Sequence, residues 1–115
     1  MGRLTTHVLD TSAGRPAAEL PIELYRHDGQ YQHLKSVLTN SDGRVDEALL
    51  EGDEFNAAVY ELRFDVAAYY NHQGAAATPS FYDVVPIRFT VTDPRQHYHV
   101  PLLLSPFGYS TYRGS

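Results

Sequence analysis

Cysteine is absent from this 115-residue chain, which removes disulfide staples, thiolate metal sites and cysteine nucleophiles together. Lysine is nearly absent: Lys35 stands alone, and Lys plus Arg total 9 against 14 Asp plus Glu, a formal net charge of -5. With no basic run, the electrostatic footprint of a nucleic-acid binder is missing. Long apolar runs are missing as well. Nothing approaches the roughly 20 apolar residues of a spanning helix, and Met1 to His7 holds no apolar signal segment. The expectation is a cytoplasmic protein with neither nucleic acid nor membrane as partner. The chain also lacks a Gly-x-Ser-x-Gly elbow, a phosphate-cradling loop and a carboxylate pair spaced for glycosidase work. Its chemistry must come from His, Arg, Ser, Tyr or carboxylates.

What is there is ordinary for a globular protein: 43% hydrophobic and 12% aromatic residues, enough for one domain over residues 1–115 with one core. Apolar residues recur at every second position or in short clusters between turn residues, which predicts strands. Strands are expected over Leu4 to Asp10, Leu20 to His27, Gln30 to Thr39, Ala58 to Val66, Val84 to Thr92, Gln96 to Leu104 and Phe107 to Arg113. Thr11 to Pro16, Asp28-Gly29 and Asn40-Ser41-Asp42-Gly43 read as turns, and the acidic Arg44 to Glu54 stretch as irregular with room for one very short strand. One short helix is expected over Ala67 to Gln73, with Asp65 near its start and Gly74 as its stop, followed by a loop from Gly74 to Pro79. Seven or eight short strands at this spacing make an all-β chain of two packed antiparallel sheets.

Strand geometry divides His97 to Leu104 into two faces. Tyr98, Val100, Leu102 and Leu104 point to the core, and His97, His99, Pro101 and Leu103 point away from it. Two imidazoles therefore share the outer face, their Cβ atoms roughly 7 Å apart. They suit a solvated face, or two ligands of a metal site that would still need a third. His7 lies on the face it shares with Thr5 and Leu9. Arg44 leaves the Asp42-Gly43 turn, where a rigid backbone can aim a guanidinium at an oxygen-rich planar ligand and depress the pKa of a neighbouring imidazole. The end of the chain, Tyr109 to Ser115, stays patterned and reads as docked, bringing a phenol from Tyr112 and a hydroxyl and carboxylate from Ser115. His27, His33 and His72 read as surface histidines, and Asp46, Glu47, Glu51, Asp53 and Glu54 as a solvated acidic stretch.

Leu4-Thr5-Thr6-His7-Val8-Leu9-Asp10-Thr11 with Gly14-Arg15-Pro16-Ala17, Thr39 to Arg44, His97 to Phe107 and the terminal Tyr112-Arg113-Gly114-Ser115 resemble the 5-hydroxyisourate hydrolases, the transthyretin-related enzymes of urate breakdown. The match runs through essentially the whole chain, and the last four residues are its most specific part. Only Asn71 to Ser80 departs, being longer and richer in alanine than the family pattern. The resemblance implies a transthyretin-like β-sandwich of two four-stranded antiparallel sheets with one short helix. It also implies a homotetramer, a dimer of dimers, with sites in the channel between dimers. The implied reaction is the hydrolytic opening of the cyclic amide of 5-hydroxyisourate toward 2-oxo-4-hydroxy-4-carboxy-5-ureidoimidazoline, without metal or cofactor. The family's functional positions fall on His7, Arg44, His99 and Ser115, with Tyr112 and His97 at the substrate. Two rivals stand beside this reading: a metal-dependent hydrolase using His7, His97 and His99, and a carrier that holds a small apolar ligand in the same channel.

Overall fold

A computed structural model describes residues 1–73 and 80–114. The expected loop from Gly74 to Pro79, and Ser115, lie outside the described residues. Among the described residues, nine strands and one α-helix follow in order. They are β1 (Arg3–Asp10), β2 (Arg15–Pro16), β3 (Pro21–His27), β4 (Tyr31–Leu38), β5 (Leu50–Glu51), β6 (Ala58–Asp65), α1 (Val66–His72), β7 (Val84–Val91), β8 (His97–Ser105) and β9 (Gly108–Thr111). A single 3-10 turn, Gly52–Glu54, follows β5.

One sheet runs β2-β1-β8-β9, with β5 also paired to β1, and the other runs β4-β3-β6-β7. The sandwich expected from periodicity is therefore present, with two differences of detail. The Thr11 to Pro16 turn ends in the two-residue strand β2, so the first sheet gains short partners along one edge of β1. The pair β1 and β8 is parallel, while every other described pair is antiparallel.

The alternation on β1 and β8 is the reason they lie at the centre of their sheet. Leu4 and Val8 from β1, and Leu102 and Leu104 from β8, are fully buried against Ile22, Leu24, Leu62 and Phe64 of the facing sheet. Each such leucine contributes about 1.5–3 kcal/mol by leaving water. The helix forms where expected, shifted one residue toward the N-terminus. Asp65 caps it by accepting from the Ala68 N–H at 3.0 Å, and Val66 and Tyr69 put its apolar stripe into the core. Tyr69 donates to Asp10 at 2.6 Å, tying the helix to the end of β1.

Candidate active site

The parallel pairing of β1 and β8 sets Thr5 opposite His99 and His7 opposite Pro101. Pairing by β9 continues the rows, for Leu102 lies opposite Thr111 and His99 bridges to Gly114, which sets Tyr112 opposite Pro101. Two rows thus cross the outer face of this sheet: Thr5, His99 and Gly114 in one, and His7, Pro101 and Tyr112 in the next. Residues two apart on a strand share a face, and a strand spacing near 4.8 Å puts the Cβ atoms of His7 and His99 about 8 Å apart.

Arg44 completes the second row from the other side. The free edge of β1 is covered by β5 at Arg3 and Leu4 and by β2 at Leu9 and Asp10. Between them Arg44 makes an isolated antiparallel bridge to His7. The turn that delivers Arg44 is organised by Asn40, whose side-chain oxygen accepts from the backbone N–H groups of Asp42 at 2.9 Å and Arg44 at 3.1 Å. Gly43 lets this turn lie directly on β1. Its φ is +73°, its carbonyl accepts from the Val8 N–H at 2.8 Å, and a Cβ there would meet the Val8 oxygen. The turn was legible in the sequence as a turn; its role as the mount for Arg44 depends on this packing.

His99 is held on three sides. Its Nδ1 lies 2.8 Å from the Thr5 hydroxyl, its carbonyl accepts from the Gly114 N–H at 2.7 Å, and its ring edge lies against the Gly114 backbone. A Cβ at residue 114 would fall 2.6 Å from His99 Cδ2, so this position has room only for glycine. The preceding residue anchors the tail on the other face. The Arg113 guanidinium stacks 4.1 Å from the centre of the Tyr98 ring and donates to the Gln96 side chain at 3.0 Å and the His97 carbonyl at 3.1 Å.

Electrostatics bind the three central groups together. Burial and then the Arg44 guanidinium hold the His7 imidazole below the usual histidine range, against a smaller opposing pull from Asp42. Burial, Arg44 and His7 do the same to His99. Both imidazoles are therefore neutral at pH 7, able to accept a proton and poised beside a fixed cation.

His7, Arg44 and His99 are carried to adjacent rows of one sheet, the β8–β9 register sets Tyr112 opposite Pro101 in the row of His7, and Ser115 lies outside the described residues. His97 sits at the margin. It is exposed, opposite Arg3, one row beyond His99 on the side away from His7. Among the described residues no three His, Asp or Glu side chains are gathered to hold a metal ion. His27, His33 and His72 lie at or near the surface elsewhere: His33 pairs with Glu23 at 3.5 Å and His72 with Glu19 at 2.8 Å. Thr5, Asn40 and Gly114 are the contributors that residue-type reasoning passed over. Thr5 carried one available signal, since it shares the face of His7.

A model of the HIUase/Transthyretin family matches residues 4–114. The chain is 57% identical to 5-hydroxyisourate hydrolase 2 of Rhizobium meliloti, over 99% of this chain and 97% of that protein. It is 60% identical to the 5-hydroxyisourate hydrolase of Mesorhizobium japonicum, over 99% of this chain and 93% of that protein. Among solved structures, the 5-hydroxyisourate hydrolase of Klebsiella pneumoniae superposes with a TM-score of 0.82 at 33% identity, covering 100% of both chains.

Proposed function

This chain belongs to the HIUase/Transthyretin family, and we propose that it hydrolyses 5-hydroxyisourate, opening the cyclic amide toward 2-oxo-4-hydroxy-4-carboxy-5-ureidoimidazoline. The observation that carries the reading is the row arrangement. Two neutral imidazoles and a guanidinium converge on one sheet face, and each imidazole is influenced by Arg44.

Opening the lactam requires attack of water on a planar acyl carbon, a place for charge on the oxygen, and a proton for the departing ring nitrogen. His99 takes a proton from the attacking water through its Nε2, because Nδ1 is engaged by Thr5. Arg44 holds the purine-derived oxygens and shares the negative charge that builds on them, which a planar five-donor group does well. The proton that His99 takes from water passes by way of His7, diagonal to it, to the departing ring nitrogen as the C–N bond breaks, and the acyl carbon stays on the opened product as a carboxyl group that ionises to solvent. Tyr112 and His97 border the substrate, and Ser115 takes the family's remaining catalytic position. No metal or other cofactor enters these steps.

Residues 1–115 act as one domain, and the active assembly is a homotetramer, a dimer of dimers, in the cytoplasm. Support for assembly comes from the apolar surface. Phe81, Phe107 and Tyr112 are 66%, 76% and 60% exposed, more aromatic surface than an isolated chain of this size favours. The strands β7 and β9, which end their respective sheets, border one groove of about 360 Å³ lined by Ile87, Phe89, Tyr98 and Val100. None of the described helices is long and apolar enough to cross a membrane.

The test generates 5-hydroxyisourate from urate with urate oxidase and follows its absorbance decay. Added protein should accelerate the decay, a chelator should leave the rate unchanged, and His99→Ala should lower kcat by on the order of 10²-fold or more. Absence of acceleration would remove the hydrolase reading, and loss of activity on chelation would favour the metal-dependent rival.

A further inference from the structure

The side chain that faces His99 from the neighbouring strand is Thr5, and the two are brought together across 94 residues of sequence by the parallel β1–β8 register. We propose that Thr5 is a positioning residue for the hydrolysis: its hydroxyl, 2.8 Å from His99 Nδ1, fixes the rotation of the imidazole and turns Nε2 toward the reacting centre. The inference rests on His99 belonging to the hydrolase site.

The geometry leaves His99 little choice. Its Nδ1 edge meets Thr5, and its Cδ2 edge meets the Gly114 backbone so closely that a Cβ there would approach to 2.6 Å. Of the two ring nitrogens, only Nε2 is left without a partner among the described residues. The strand backbone reinforces the grip, for the same histidine accepts from Gly114 through its carbonyl at 2.7 Å. Both Thr5 and His99 are half-buried, so the contact is shielded from free exchange with water.

A hydroxyl suits this task better than the carboxylate that orients many catalytic histidines. It both donates and accepts. When Nδ1 carries the hydrogen, the Thr5 oxygen accepts it and Nε2 is the free base; when Nε2 carries the hydrogen, the Thr5 O–H rotates and donates to Nδ1. The ring can take a proton from water and give it back without losing its partner at either stage. A carboxylate would accept only, would hold the hydrogen on Nδ1, and would favour the charged imidazolium beside Arg44. In Thr5 the site has an orienting group that adds no charge.

Thr5→Val removes the hydroxyl while keeping the branched shape, and Thr5→Ser restores it. For the valine variant we expect kcat to fall by on the order of 10-fold to 100-fold with KM within about twofold, the size of effect a misdirected catalytic group produces. The serine variant should recover most of kcat. Independently of substrate, ¹⁵N NMR of the His99 ring should show its tautomer balance altered in Thr5→Val and near the parent's in Thr5→Ser, with the unfolding midpoint of all three unchanged. Parent-like kcat in Thr5→Val would overturn the proposal, and so would equal losses in both variants or a change confined to KM. If the parent protein fails to accelerate 5-hydroxyisourate decay, the hydrolase reading falls instead, and an unchanged ring spectrum in Thr5→Val would then overturn the orienting role separately.

Discussion

The two sheets turn opposite kinds of polar surface outward. On the β3-β6-β7 side, Glu61 is only 5% exposed although it points away from the core. It is sealed by a salt bridge from Arg63 at 2.7 Å, another from Arg88 at 3.3 Å and a hydrogen bond from Tyr31 at 3.0 Å. Arg63 also stacks over the Tyr25 ring at 4.0 Å, and Arg88 reaches the Tyr31 hydroxyl. Burial alone would raise the Glu61 pKa, but these donors outweigh it and hold the carboxyl below its usual range. On the β1-β8-β9 side, Arg44 has no carboxylate partner among the described residues, and the imidazoles are kept neutral beside it. One face satisfies its central charges internally. The other leaves a cation and proton acceptors in want of a ligand, which is the condition for chemistry.

The comparison breaks most sharply at Gly114. Replacing it with alanine drives a methyl group into the His99 ring, so either the tail or the imidazole must move. Gly114→Ala should cost on the order of 10²-fold in kcat/KM while leaving the unfolding midpoint nearly unchanged, because the tail is at the surface; steady-state kinetics beside a thermal melt checks both halves. The reverse pattern is expected at Glu61. Glu61→Gln removes the charge that two guanidinium groups and a phenol converge on, and about 2 kcal/mol of stability should go with it, discounted for the partial exposure of both arginines. That corresponds to a fall in Tm of roughly 8 °C, with kcat/KM per folded molecule retained. A Glu61 variant that lost activity without losing stability would mean the two faces are not independent.

The contrast also separates what the sequence could show from what it could not. Period-two alternation told the core side of β8 from its outer side correctly, because Leu102 and Leu104 leave no other arrangement that buries them. It put His99 on the outer face and His7 on the face of Thr5 and Leu9, and the family resemblance supplied their association with Arg44. The partner of each strand was another matter. A strand's alternation is the same whichever strand it pairs with, so the parallel β1–β8 register, and with it the Thr5–His99 contact, had no local signal. Glu61 shows a second limit. It falls on the solvent side of β6 by alternation, and its burial comes from arginine and tyrosine side chains of three strands folding over it. Long side chains can bury a site that the backbone leaves open, and no spacing rule records it.

The finest separation of the two faces is on the pH axis. His7 and His99 titrate below the ordinary histidine value of 6.5 when folded, so between 6.5 and their folded values the unfolded chain binds more protons than the native one. Their contribution is therefore complete above pH 6.5 and lost as pH falls below it. Glu61 is depressed from 4.5, so its contribution is complete above that value and disappears only as pH drops through its lower folded value. Denaturant melts between pH 7 and 3 should show both windows in the parent. A His7→Asn, His99→Asn double variant should flatten the upper window alone, and Glu61→Gln should shrink only the lower one, to which Asp10 also contributes. The upper window should also mark catalysis: kcat/KM should hold at pH 6.5 and decline only below it, since the imidazoles must be neutral to take the water proton. A decline in kcat/KM centred above 6.5 would mean that the base lies outside this pair of histidines, and the division of labour between the faces would have to be redrawn around another group.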